Sequence, residues 1–253
     1  NTMFKKSLAA SGVLFWILAV CQAVQGWDHN ADWPIATEPA LSANPNGVWS
    51  YGYLESGNIA AFHLYDRFIP DPYYGTGQHN PWAGEAALSN WSRNGGWDGP
   101  DKYGNNGINT SSGSVYYSSW PGKMYWAPGQ TNMMTPDSSV DLYNQSCTRF
   151  TAPFAGKFAI HATFINSMYA GNPTCTKIVV NGSPAAAGQI DGFGFTDAGK
   201  GLTAFGNHTW NYSATLFLDK NDTVDFVIQY AGTGPGYNQV AFDAEISPVA
   251  YSY

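Results

Sequence analysis

The sequence predicts an all-β protein: an antiparallel β-sandwich with a long irregular, aromatic-rich insertion in its first half. Three observations point there. Apolar residues in the second half recur with period two, the signature of half-buried strands. Turn residues separate those runs at short intervals. Aromatics make up 16% of the 253 residues and charged residues only 11%, with 28 Gly and 15 Pro. This composition excludes a disordered chain, which is poor in aromatics and rich in charge. It excludes a coiled coil, which needs far more Lys, Arg and Glu. A net charge of −7 repels a polyanion and excludes nucleic acid as a partner.

The chain opens with a targeting signal. Lys5 and Lys6 precede an uncharged apolar run, Leu8–Val20, and Cys21-Gln22-Ala23 supplies small residues for cleavage. At about 13 residues the run is shorter than the ~20 of a membrane span. Leu18-Ala19-Val20-Cys21 approaches a lipoprotein signal, but Val20 stands where a small residue is wanted. Residues 1–23 are therefore read as a signal peptide, 24–43 as an N-terminal extension and 44–253 as one sandwich domain. The expected location is extracellular, with no membrane contact after cleavage.

In the first half, Gly47–Glu55 and Ile59–Phe68 read as a hairpin joined at Ser56-Gly57-Asn58. Ser114–Ser119, Lys123–Trp126 and Gln130–Thr135 read as short strands. Between Ile69 and Ser114 lies a Gly/Asn/Pro-rich stretch, too long for a structureless loop unless it is functional or holds short elements. In the second half, Cys147–Thr151, Lys157–Ile165, Cys175–Asn181, Thr209–Leu218, Thr223–Tyr230 and Gln239–Ile246 read as strands. Phe158, Ile160, Ala162 and Phe164 share one face, as do Val224, Phe226 and Ile228, and Val240, Phe242, Ala244 and Ile246. Clean alternation of this kind means one wet face and antiparallel sheets. The outward positions then include His161, Thr163, Asn211, Ser213, Asp225, Gln229, Asp243 and Glu245.

Outside the signal the chain keeps Cys147 and Cys175. In an exported protein two cysteines most simply pair, and closing this loop stabilises by roughly 3–4 kcal/mol. Asn-x-Ser/Thr triplets occur at Asn90, Asn109, Asn144, Asn181, Asn207, Asn211 and Asn221, which suits a secreted glycoprotein.

Asn44-Pro45-Asn46-Gly47-Val48-Trp49-Ser50-Tyr51-Gly52 resembles the opening of a secreted β-sandwich family of planctomycete-type bacteria. Arg149-Phe150-Thr151-Ala152-Pro153 with Gly156 and Phe158, then Val180-Asn181-Gly182, then Phe242-Asp243-Ala244-Glu245-Ile246 follow that family's order. The likeness spans about Asn44 to Pro248 and departs at Thr135, Asp137 and the cysteines. It implies a jelly-roll or galactose-binding-like sandwich, the architecture of many carbohydrate-binding modules.

The aromatics outside the alternating strands are the best candidates for a ligand site. Trp82, Trp91, Trp97, Tyr103, Tyr116, Tyr117, Trp120 and Trp126 lie among Gly, Asn and Asp. A flat ring covers the C–H face of a sugar while polar groups fix its hydroxyls, so the expected partner is a polysaccharide or glycan. The bland reading is that these rings pack a loop onto the sandwich. Trp49 sits in an alternating strand and reads as core. Asp98, Asp101 and Asn105 offer oxygen ligands for a structural Ca²⁺, without the spacing of a known calcium loop; no other cofactor is expected. Asp243 and Glu245 share a strand face about 7 Å apart by strand rise, a separation that an inverting glycosidase uses. No nucleophile elbow, metalloprotease motif or P-loop is present. The reading favoured is a secreted, non-catalytic carbohydrate-binding sandwich, with a structural or adhesive surface protein as alternative and a glycoside-active enzyme third.

Overall fold

The computed structural model describes residues 26–33, 44–55, 58–65, 67–69, 88–92, 105–109, 114–117, 124–135, 145–169, 173–232 and 238–250. Its strands are β1 (Trp27–Asp28), β2 (Trp49–Glu55), β3 (Asn58–Leu64), β4 (Arg67–Ile69), β5 (Leu88–Ser92), β6 (Asn105–Asn109), β7 (Val115–Tyr117) and β8 (Met124–Trp126). Then follow β9 (Thr131–Met134), β10 (Gln145–Thr151), β11 (Gly156–Asn166), β12 (Thr174–Val180) and β13 (Ser183–Ile190). β14 (Thr209–Leu218), β15 (Thr223–Tyr230) and β16 (Gln239–Pro248) complete the set. Among the described residues the only helical element is a 3₁₀ turn at Ala198–Lys200, and no helix is long and apolar enough to cross a membrane.

The fold is the expected antiparallel sandwich. One sheet runs β14-β11-β16-β9-β6-β5-β4, and the other β13-β12-β15-β10-β2-β3. β9 to β16 alone make a jelly roll: β9-β16-β11-β14 face β10-β15-β12-β13, and every connection but the β12–β13 hairpin changes sheet. β1 pairs with β16 beside β9 and so adds residues ahead of 44 to the sandwich.

The alternating sequences explain the core. Phe158, Ile160, Phe164, Phe242 and Ile246 meet Trp49, Phe150, Ile178, Val224, Phe226 and Ile228 across the sheets, all at 2% exposure or less. Each such ring or branched chain contributes roughly 2–3 kcal/mol of burial. His29 follows β1 into this interior, with ring centroids of Phe242, Trp49 and Trp33 at 4.8, 5.1 and 5.7 Å. Burial lowers its pKa to about 3, against a hydrogen bond to Asn30 that raises it.

The Asn44–Gly52 motif is internal carpentry. The Asn44 Nδ2 donates to the carbonyls of Tyr51 and Tyr65, and its Oδ1 accepts from the Tyr51 N–H. Asn46 and Trp49 exchange backbone bonds, and the Trp49 indole donates to Asp32 at 3.0 Å.

Two sequence expectations are corrected here. Asp225 is not a solvated outward residue: it is 0% exposed and takes a two-point bond from Arg149 at 2.6 and 2.8 Å. The β2–β3 pairing shifts register after Leu54, and Ile59 and Phe62 fold over Leu54, Cys147, Val179 and Val227. The Arg149 guanidinium sits 4.0 Å from the Phe62 ring centroid. Thus part of the outer face that alternation marks as wet, around Cys147, Asp225 and Val227, is covered. The Cys147–Cys175 disulfide is also absent, and both thiols are free. Cys147 pairs with Val227 and Cys175 with Gln229, so β15 runs between them. Two strand spacings are about 10 Å, beyond the ~7 Å Cα limit of a disulfide.

Candidate functional site

One end of the sandwich is built from irregular backbone. Residues 191–208, between β13 and β14, fold back on themselves. Phe193 and Phe205 exchange two 2.9 Å backbone bonds, and Asp197 and Leu202 bridge nearer the tip. The tip is the 3₁₀ turn, where the Asp197 side chain accepts from the Lys200 N–H and Gly201 takes φ 65°. Glycine lets the two arms close: a Cβ on Gly192 would lie 2.0 Å from the Phe205 carbonyl. Neighbouring connections dock here, with Gly194 N–H donating to Asn166 and Tyr125 N–H to Ser167.

The rings gathered by this folding form one cluster. Phe193 is fully buried and is the hub. Tyr169, Phe195 and Phe205 lie 5.0, 5.9 and 6.3 Å from it between centroids. Tyr169 meets Phe205 edge-on at 5.5 Å, and Tyr125 packs on Phe195 at 5.1 Å. Tyr169 and Phe195 are half-buried, and Phe205 is 42% exposed. Polar groups sit beside them. Asp191 and Asn207 occupy the adjacent ladder step: the Asp191 N–H donates to the Asn207 carbonyl, and Asp191 Oδ1 accepts from the Asn207 N–H. Asp197 accepts from the Ser114 hydroxyl at 3.4 Å, tying the residue ahead of β7 to the same loop. An apolar plate edged by carboxylate and amide groups suits a ring that is polar at its rim and apolar on its face.

The sequence-predicted aromatics fare unevenly. Trp126 is 7% exposed, and its indole N–H is buried without a hydrogen-bond partner. It is therefore packing, not an open platform. Trp91 is described as a β5 position opposite Asn106 and Phe68, and Tyr116 and Tyr117 as β7 positions opposite β8. Trp82, Trp97, Tyr103 and Trp120 lie outside the described residues. So do Asp98 and Asp101, while Asn105 is a β6 position. Among the described residues no three His, Cys, Asp or Glu side chains are grouped to hold a metal. Sequence reasoning missed Tyr169, Phe193, Phe195 and Phe205; the density of Phe and Gly across 192–206 is the signal that marks a packed loop there.

Two sheet faces are the other candidates. On the six-stranded sheet, the Lys177 ammonium donates to Gln145 and Gln229 at 3.1 and 2.9 Å. On the eight-stranded sheet, Glu245, His161 and Ser213 align across β16, β11 and β14, with Asp243, Thr163 and Asn211 in the next row. Burial pushes the Asp243 carboxyl up, and the Asp28 carboxylate adds to it, against a hydrogen bond from the Ala244 N–H. Glu245 is exposed on this sheet face. Among the described residues neither face gathers aromatic rings as the loop end does.

No protein-family model matches the chain, and no curated protein matches it. Among solved structures it is similar to a CBM4 structure, at TM-score 0.32 and 12% identity over 73% of this chain and 96% of that one. It is similar to the N-terminal cellulose-binding domain of a β-1,4-glucanase from Cellulomonas fimi, at TM-score 0.29 and 13% identity, covering 55% and 91% of the two chains. A family 35 carbohydrate-binding module from Clostridium thermocellum gives TM-score 0.25 and 14% identity, covering 54% and 88%. None of these three exceeds a TM-score of 0.32, so residue roles do not transfer from them.

Proposed function

We propose that this chain is an exported, non-catalytic carbohydrate-binding module that holds a sugar ring against the aromatic loop end. The observation that carries the reading is the Phe205 ring, 42% exposed, braced by Tyr169 and Phe193 and one ladder step from Asp191 and Asn207. A ring braced on two sides loses little freedom when a ligand stacks on it, which favours binding. Asp191 and Asn207 are both exposed; the Asn207 Nδ2 donates to the Gln189 carbonyl, so the Asp191 carboxylate and the Asn207 Oδ1 are the acceptors this reading offers to sugar hydroxyls. The test is electrophoresis through gels containing neutral polysaccharides of differing linkage. Retardation by at least one is expected, and Phe205→Ala with unchanged circular dichroism should abolish it. A folded protein that no polysaccharide retards would overturn the reading.

A structural or adhesive role is the second reading. It is favoured by β14, which ends its sheet among the described residues and carries Phe217 at 61% exposure. Self-association in sugar-free buffer, measured by sedimentation, would support it; a monomer that binds sugar would not.

A further inference from the structure

Among the described residues, the four edges of the two large sheets are not protected alike. β13 carries Pro184 and a register shift against β12. β3 carries a register shift against β2. β4 has three residues. Short strands, prolines and irregular pairing are the usual devices that keep a sheet edge from pairing with another molecule. β14 has none of them. It is ten residues long, reads Thr-Trp-Asn-Tyr-Ser-Ala-Thr-Leu-Phe-Leu, and holds no charged residue and no proline. Its register with β11 runs unbroken from Leu218 to Thr209, and among the described residues it ends its sheet.

The same strand carries an Asn-Tyr-Ser triplet at Asn211. Asn211 is exposed, and its Oδ1 accepts from the Thr163 hydroxyl at 3.0 Å. That leaves the Nδ2 clear of the contact that orients the side chain. Asn109, in a second triplet, differs: it is 0% exposed, and its Nδ2 donates to the Trp126 carbonyl.

We propose that Asn211 is an N-glycan acceptor whose oligosaccharide shields the open β14 edge from strand addition by a second copy of this chain. The donor is an oligosaccharide on a lipid diphosphate. A bond forms between Asn211 Nδ2 and the anomeric carbon, and the bond from that carbon to the diphosphate oxygen breaks. The lipid diphosphate leaves with the electron pair, and one amide proton goes to base. A hydrophilic branch on this strand does the work that a charge or a proline does on other edges.

The test is secretion of the full chain from insect cells, glycopeptide mapping, and light scattering before and after enzymatic removal of glycans from the native protein. Asn211 should be occupied and Asn109 empty. Glycan removal should at least double the apparent mass of a monomer. Asn211→Gln and Ser213→Ala, which remove the same triplet in two ways, should reproduce the change, while Asn181→Gln at a remote turn should not. An empty Asn211, an occupied Asn109, or a deglycosylated protein that stays monomeric would overturn the proposal.

Discussion

His29 makes the folded state sensitive to acid. The imidazole is packed among Trp33, Trp49 and Phe242, and its Nε2 is buried with no hydrogen-bond partner. A proton there would place an uncompensated charge in the core, so the folded pKa falls from 6.5 to about 3. The unfolded chain still binds the proton near 6.5. Stability is therefore complete above pH 6.5 and is lost as pH falls toward the folded value. At pH 5 the unfolded state is favoured by roughly 2 kcal/mol from this group alone, and by pH 3 by roughly 4–5 kcal/mol. The assay is urea unfolding at pH 8 and pH 5 of the native sequence and of His29→Leu, which keeps the volume apolar and cannot titrate. The native protein should lose about 2 kcal/mol more than the variant between those pH values. Parallel losses in the two proteins would refute a buried neutral His29.

Three further outcomes follow from the packing. A Cβ on Gly188 would lie 2.5 Å from the Trp210 indole, so Gly188→Ala should cost about 1–3 kcal/mol, and Trp210→Ala in the same chain should remove the clash; thermal unfolding of both reads this. Asp225→Ala strands the Arg149 guanidinium, which is 19% exposed, and should cost about 3 kcal/mol, while Arg149→Met with Asp225→Leu should recover most of it in denaturant unfolding. Alkylation without reductant should modify Cys175 before denaturation and both cysteines after it, because Cys147 is fully buried; peptide mapping that recovers a Cys147–Cys175 cross-link would contradict the strand register.

How much of the molecule its sequence discloses depends on where the information lies. β14 and β15 are readable because each carries its own alternation, and their bounds match the pattern residue for residue. β13 is not readable that way: Ser-Pro-Ala-Ala-Ala-Gly-Gln-Ile holds one β-branched residue and no aromatic. Asn181-Gly182 marks only a turn in the sequence; its φ of 49° and 74° are those of the tight primed turn that pairs β13 with β12. β5 and β6 are mostly Asn, Ser and Gly and become strands by pairing with each other and with β9. Asp225 misleads because alternation reports one sheet, not what folds over it. The cysteine pair misleads because chain separation does not register a strand lying between. The loop end is hidden for a similar reason: Phe193 and Phe205 meet only when the two arms close over Gly192.

The most direct test of the carbohydrate-binding claim is a map of backbone amide shifts as an oligosaccharide that the protein retains is titrated in. Shifts concentrated at Tyr169 and from Asp191 to Asn207, and lost in Phe205→Ala, are the expected result. Shifts confined to Lys177, Gln145 and Gln229, or to the face of Asp243 and Glu245, would contradict the loop-end site.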